Sequence, residues 1–192
     1  MRVSCVLKVG DVENPISHVI VFPEGIDHEE ITRACQLYPN CLIVGAVVEQ
    51  GRSRGLLFHK GRNRIDYLKV ETDGRTRGVG NVMQMPVYET DSLCVGVLIC
   101  MDIDRQEFAR TVTQTIRSSS RPLKLLCIPA DMGDYWFSGE SLVAPERFEG
   151  IYVVVCNHTK THQARCKSFI ADIKGKKVIV QKQTEPIHAE LV

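Results

Sequence analysis

Five apolar runs recur along the chain with little alternation of polar residues: "HVIVFP" (18–23), "CLIVGAVV" (41–48), "LCVGVLIC" (93–100), "LKLLCIP" (123–129) and "IYVVVCN" (151–157). A strand with one wet face alternates apolar and polar side chains. A continuous run suits a strand covered on both faces. This pattern limits the fold to layered arrangements in which sheets are sandwiched between other elements.

Helical spacing lies between some of the runs. In 27–38, Ile31, Ala34, Cys35 and Tyr38 fall at i, i+3, i+4 and i+7, and Pro39-Asn40 closes the segment. Asp27 and Glu30 have capping-box spacing at its start. In 104–118, Phe108, Val112 and Ile116 share a face, with Asp104 and Glu107 repeating the start signal. Segments 54–69 and 168–180 read as hairpins that turn near Lys60-Gly61-Arg62 and Lys174-Gly175-Lys176. Strands alternating with helices, plus hairpins, predict a layered α/β fold with mixed sheet.

The length of 192 residues suits a single domain, 1–192, with no repeat or low-complexity tract. A net charge of +1 gives no global pull toward nucleic acid or membrane. The apolar start "VSCVL" is cut by Lys8 and Asp11 too early for a signal peptide, and no run reaches transmembrane length. Eight cysteines are scattered with no C-x-x-C pair. That usage predicts reduced thiols and a cytoplasmic location.

One of those cysteines stands apart. "VGVLIC" reads as a buried strand whose last residue is Cys100, and the turn "MDI" leads to a helix starting near Arg105. A strand end fixes a nucleophile in place, and a helix N-terminus nearby favours a thiolate. Burial alone would also explain a cysteine there. Two further run ends carry matching chemistry. "VIVFPEG" ends in Glu24, and "RIDYLKVE" places Lys69 at the end of a hairpin arm. If the three ends converge, they supply a base, a cation for an oxyanion and a thiol nucleophile.

These segments resemble the nitrilase, or carbon–nitrogen hydrolase, superfamily, whose signature is a Glu-Lys-Cys triad. "VIVFPEG" is similar to its "lvvFPE", "LLFHKGRNRIDYLK" to its Tyr-x-Lys hairpin, and "VGVLICMDID" to its "iGvlICyDlr". Downstream, "FEGIYVVVCN", "CKSFIADIKGKKVI" and "EPIHAELV" resemble later pieces in the same order. The likeness spans roughly residues 16–192, with the segment before "FPE" shortened.

The resemblance implies an α-β-β-α sandwich with mixed sheets and hydrolysis of non-peptide carbon–nitrogen bonds in a small amide, nitrile or carbamoyl substrate. It assigns Glu24 as base, Cys100 as nucleophile, and Lys69 with the backbone N–H of Met101 as oxyanion donors. It implies no metal or organic cofactor, no membrane, and a homodimer. "CIPADMGDYWF" stands where the family builds its pocket, so Asp131, Tyr135, Trp136 and Phe137 are candidate substrate contacts. Glu71 is a candidate second acid beside the lysine.

Three other readings compete. Cys156, His158, His162 and Cys166 have zinc-ligand types, but their spacing matches no common zinc module. Arg52, Arg54, Lys60, Arg62, Arg64, Lys69, Arg75 and Arg77 cluster in 52–77, which admits an anionic partner or nucleic acid. Acidic residues dilute that segment and no aromatic ladder accompanies it, so a solvated hairpin face is expected. A non-catalytic scaffold of the same fold is the third reading, against which the intact triad argues.

Overall fold

A computed structural model describes residues 1–12, 18–70, 85–131, 148–157, 168–172, 174, 177–180 (backbone alone) and 186–191. Among these, twelve strands form two six-stranded sheets. The first sheet contains β1 (Arg2–Cys5), β2 (Val19–Glu24), β3 (Leu42–Glu49), β4 (Arg52–His59), β5 (Arg62–Leu68) and β12 (Ile187–Glu190), in the order β12-β1-β2-β3-β4-β5. The second contains β6 (Val87–Glu89), β7 (Leu93–Val97), β8 (Leu123–Ala130), β9 (Tyr152–Asn157), β10 (Phe169–Ala171) and β11 (Lys177–Val180), in the order β11-β10-β9-β8-β7-β6. Each sheet has three parallel strands, β1-β2-β3 and β7-β8-β9, extended by antiparallel pairs. β2 packs across the interface on β8 and β9. Helix α1 (His28–Leu37) covers β3, and α2 (Gln106–Ser118) covers β7 and β8.

The continuous apolar runs have the predicted cause. In β2, Val19 and Val21 belong to the cluster that includes the space between the sheets, while Ile20 and Phe22 join Ile31 and Ala34 of α1. Both faces of the strand are therefore buried. Gly96 lets α2 approach β7, because a Cβ there would lie 2.6 Å from the Ile116 Cδ1.

Local starts differ from the sequence expectation. Neither helix has a side-chain N-cap: Asp27 makes no capping bond, and α2 begins after Arg105 rather than Asp104. Glu30 instead accepts the Val9 N–H at 2.7 Å, a bond across 21 residues that replaces the local capping box. β7 also ends at Val97, before Cys100, which opens a 3₁₀ turn over Cys100–Asp104.

Two irregularities re-aim side chains. Register runs Val21↔Val44 and then Glu24↔Ala46, so β2 carries one extra residue at Phe22-Pro23. Pro23 has no N–H to donate, which suits a bulge. The extra residue moves Glu24 off the α1 face of Ile20 and Phe22 and onto the inter-sheet face. A second bulge falls between Leu57↔Ile65 and Phe58↔Asn63, leaving Arg64 without a cross-strand partner.

Candidate active site

Glu24 ends β2, Lys69 follows β5, and Cys100 follows β7, so three chain ends meet at one edge of the sandwich. The structure brings the three side chains together. Lys69 Nζ donates to Glu24 Oε1 at 2.8 Å and to Oε2 at 3.1 Å. Glu24, Lys69 and Cys100 are only 4%, 2% and 2% exposed, so this ion pair is held out of water. Lys60, the other lysine of the hairpin, sits exposed at its turn.

Cys100 has φ of 44°, in the left-handed region that disfavours a side chain. Such strained backbone persists where surrounding contacts over-determine it. The Asp102 N–H bonds back to the Ile99 carbonyl at 2.8 Å and closes the turn beneath the thiol. Burial pushes the Cys100 thiol up from 9.0 to about 12. The charge of Glu24 pushes the same way, and the carboxylate shares a hydrogen bond with the thiol. Lys69 and the backbone N–H of Asp131 pull against this shift. The resting group is therefore a protonated thiol at neutral pH.

Three residues that sequence reasoning did not assign complete the geometry. Ser53 donates to Glu24 Oε1 at 2.6 Å, and its carbonyl accepts the Lys69 N–H at 2.9 Å. One residue thus orients the carboxylate and anchors the lysine's backbone. Asp102 is fully buried; it accepts Tyr67 O–H at 3.0 Å and the Val70 N–H at 2.8 Å. Tyr67 and Val70 flank Lys69, so one carboxylate ties the hairpin end to the Cys100 turn. Burial, then the Asp102 charge and hydrogen bond, hold the Tyr67 phenol well above its ordinary value. Gly55 lies opposite Tyr67, and any Cβ there would run into the ring. The signals were present as the tyrosine of "YLK" and the aspartate of "CMD".

The remaining candidates divide. Met101 lies in the first turn after Cys100, where backbone N–H groups lack an intrahelical acceptor. Asp131 follows β8 and touches the thiol through its backbone amide. Tyr135, Trp136, Phe137 and Glu71 lie outside the described residues, as do His158, His162 and Cys166. Cys156 is buried in the core, its Sγ 3.8 Å from the Val6 carbonyl. Among the described residues, no three His, Cys, Asp or Glu side chains gather as a metal site. No described helix is long and apolar enough to cross a membrane. A cavity of about 600 Å³ opens beside the site, bounded by Val70, Asp104 and Phe108; none of Glu24, Lys69 and Cys100 lines it.

No protein-family model matches the sequence, and neither does any curated protein. Solved structures do match the fold. An amidase from Nesterenkonia sp. superposes with a TM-score of 0.69 at 15% identity, covering 98% of this chain and 88% of that one. Nit3 of Saccharomyces cerevisiae, a member of branch 10 of the nitrilase superfamily, gives 0.70 at 15% identity, with 98% and 89% covered. A mutant of the Nesterenkonia amidase with the acetamide moiety of fluoroacetamide covalently added at its active-site cysteine gives 0.71 at 15% identity, with 98% and 88% covered. The chain has the fold of these nitrilase-superfamily proteins.

Proposed function

We propose that the protein is a carbon–nitrogen hydrolase that cleaves a small amide through a thioester on Cys100. The observation that carries this reading is the buried Glu24–Lys69 pair at 2.8 Å, with the Cys100 thiol hydrogen-bonded to the same carboxylate. The covalent acetamide adduct at the active-site cysteine of the Nesterenkonia amidase mutant supports it by analogy of fold.

A thiol pushed up to about 12 is a poor nucleophile at neutral pH, so attack needs a base in the same step. Glu24 takes the Sγ proton as sulfur bonds to the amide carbon. Negative charge then builds on the former carbonyl oxygen, where Lys69 Nζ and the Met101 N–H stabilise it. Glu24, now a carboxylic acid, gives its proton to the amide nitrogen. The C–N bond breaks, ammonia or an amine leaves, and the acyl group stays on sulfur. Glu24 next takes a proton from water as its oxygen bonds to the thioester carbon; the C–S bond then breaks, the carboxylic acid leaves, and Glu24 returns the proton to Sγ. The protonated leaving nitrogen favours amides over nitriles, because the mechanism regenerates an acid at the moment the amine departs.

Intact-protein mass spectrometry tests the reading, with turnover of acetamide and butyramide quenched in acid. The expected result is an acyl adduct on Cys100 together with ammonia release. Unmodified protein during continued turnover would overturn the covalent route. Absence of both turnover and adduct across small amides and nitriles would overturn the enzyme reading.

A further inference from the structure

The basic hairpin β4–β5 has two differently treated ends. Near the site, Arg54 is neutralised: it donates to Asp66 at 3.0 and 2.6 Å and to Glu49 at 3.2 Å. At the far end, Lys60, Arg62 and Arg64 have no carboxylate partner among the described residues. The nearby acids are already engaged, Asp66 by Arg54 and Glu89 by Arg121.

That far end is organised rather than loosely solvated. Arg64 occupies the β5 bulge, and its guanidinium carbon lies 5.5 Å from the centre of the Tyr88 ring. The Tyr88 hydroxyl lies 3.0 Å from His59 Nδ1, and the two rings meet edge-on. β5 is the edge of the first sheet and β6 the edge of the second, so Tyr88 bridges the sheets at one corner. The Arg64 Nε is buried and makes no hydrogen bond among the described residues. A desolvated guanidinium N–H without an acceptor is costly in isolation.

We propose that this corner, formed by His59, Lys60, Arg62, Arg64 and Tyr88, binds a phosphate-type dianion, free or as the phosphoryl group of a small molecule. With Tyr88 donating to Nδ1, the proton of a neutral His59 ring sits on Nε2, which adds a donor to the cations of Lys60 and Arg64 that the ring senses. A fork plus separate point donors suits the several oxygens of a phosphoryl group. Burial, followed by the charges of Lys60 and Arg64, lowers the His59 titration, which agrees with close cations that have no carboxylate partner among the described residues. Ser53 and His59 stand six residues apart on β4, about 20 Å at the rise of a strand. The corner is therefore separate from Glu24 and Cys100, and this inference does not depend on the hydrolase reading.

The test is NMR of the His59 ring during titration with inorganic phosphate, against chloride at equal ionic strength. The expected result is a saturable shift specific to phosphate and a His59 titration moved upward, because a bound dianion stabilises the imidazolium. Arg64→Met should weaken binding by about tenfold or more, and Arg64→Lys should recover part of it, since charge returns without the fork. Arg54→Met should leave binding unchanged. If Arg64→Met does not fold, the exposed pair Lys60→Gln and Arg62→Gln carries the test with the same expected loss. A response that never saturates, matches that of chloride or survives these substitutions would overturn the proposal. So would salt-sensitive binding of an oligonucleotide without any response to phosphate.

Discussion

The two ends of the β4–β5 hairpin treat charge in opposite ways. At the end that meets β2 and the Cys100 turn, Glu24 and Lys69 leave water together and satisfy each other. The Asp102 carboxylate beside them is bonded by Tyr67 and the Val70 N–H. At the other end, Lys60 and Arg62 stay exposed and Arg64 leans on an aromatic ring. A buried ion pair adds little net stability, but removing one partner strands the other. Surface cations can be exchanged at little cost. Substitutions should therefore have large, coupled effects at the first end and small, independent ones at the second.

The largest effect is expected on turnover. Cys100→Ala should reduce it by roughly four orders of magnitude or more, since the proposed route runs through a thioester on Cys100. Steady-state ammonia release measures this, and persistence of activity would break the assignment. The stability of the same position sharpens the comparison. Because Cys100 has φ of 44°, Cys100→Gly should be more stable than Cys100→Ala by about 1 kcal/mol in denaturant melts.

Next come the two lysines of one hairpin. Lys69→Met leaves Glu24 buried with Ser53 as a hydrogen-bond donor, and should cost about 3–5 kcal/mol. On the proposed mechanism, in which Lys69 stabilises the oxyanion, it should also slow turnover by about a hundredfold or more. Lys60→Met should fall within about 0.5 kcal/mol. Adding Glu24→Gln to Lys69→Met should recover part of the loss, because the stranded charge disappears. Urea unfolding of the four proteins decides. Equal costs for Lys69 and Lys60 would refute the contrast.

Smaller losses are expected at the tie between hairpin and turn. Tyr67→Phe removes one donor from a fully buried carboxylate and should cost about 1–3 kcal/mol. Asp102→Asn keeps the shape and an acceptor for Val70. Both should lower kcat with little change in KM if Tyr67 and Asp102 act by setting where Lys69 and Cys100 stand. A change confined to KM would contradict that role.

High pH should loosen the same region. The unfolded Cys100 thiol ionises near 9.0, whereas the folded one is held to about 12. Cys5 and Cys127 are raised in the same direction by burial. Between these values the unfolded chain binds fewer protons than the folded one, so stability falls as pH rises past 9.0. The slope approaches about 1.4 kcal/mol per pH unit for each such thiol. Denaturant melts from pH 8 to pH 10.5 measure it, and Cys100→Ala should make the slope shallower.

Residues with chemistry at the end of an apolar run were legible from sequence. Glu24 and Cys100 each close such a run, Lys69 ends a hairpin arm, and each of the five runs contains a strand, although the one before Cys100 stops at Val97. Legibility failed where register decides. The β2 bulge determines the face on which Glu24 stands, and nothing in "FPEG" specifies the partner residue that reveals it. Ser53 lies just before the hairpin expected over 54–69 and carried no signal of its own, yet pairing with β3 buries it against Glu24. The Asp27–Glu30 spacing misled for the complementary reason: a distant N–H, that of Val9, claimed the Glu30 carboxylate. Local pattern carries element type and position, while hydrogen-bond ownership depends on contacts tens of residues away.

Arg54 carries a small expected effect and the sharpest comparison within the hairpin. It makes the two-point contact with Asp66 that Arg64 lacks, on a side chain 38% exposed. Solvent competes for both partners, and the guanidinium must be held in one geometry, so the pair contributes about 0–1 kcal/mol. Arg54→Met should therefore lower stability by no more than about 1 kcal/mol, and added salt should shrink the difference, because exposed pairs are screened. The Lys69→Met loss should change little over the same salt range, since that pair is excluded from water. Melts in low and high sodium chloride compare the two directly. If both losses respond equally to salt, the Glu24–Lys69 pair is reached by solvent, and the argument for a sheltered base beside Cys100 fails with it.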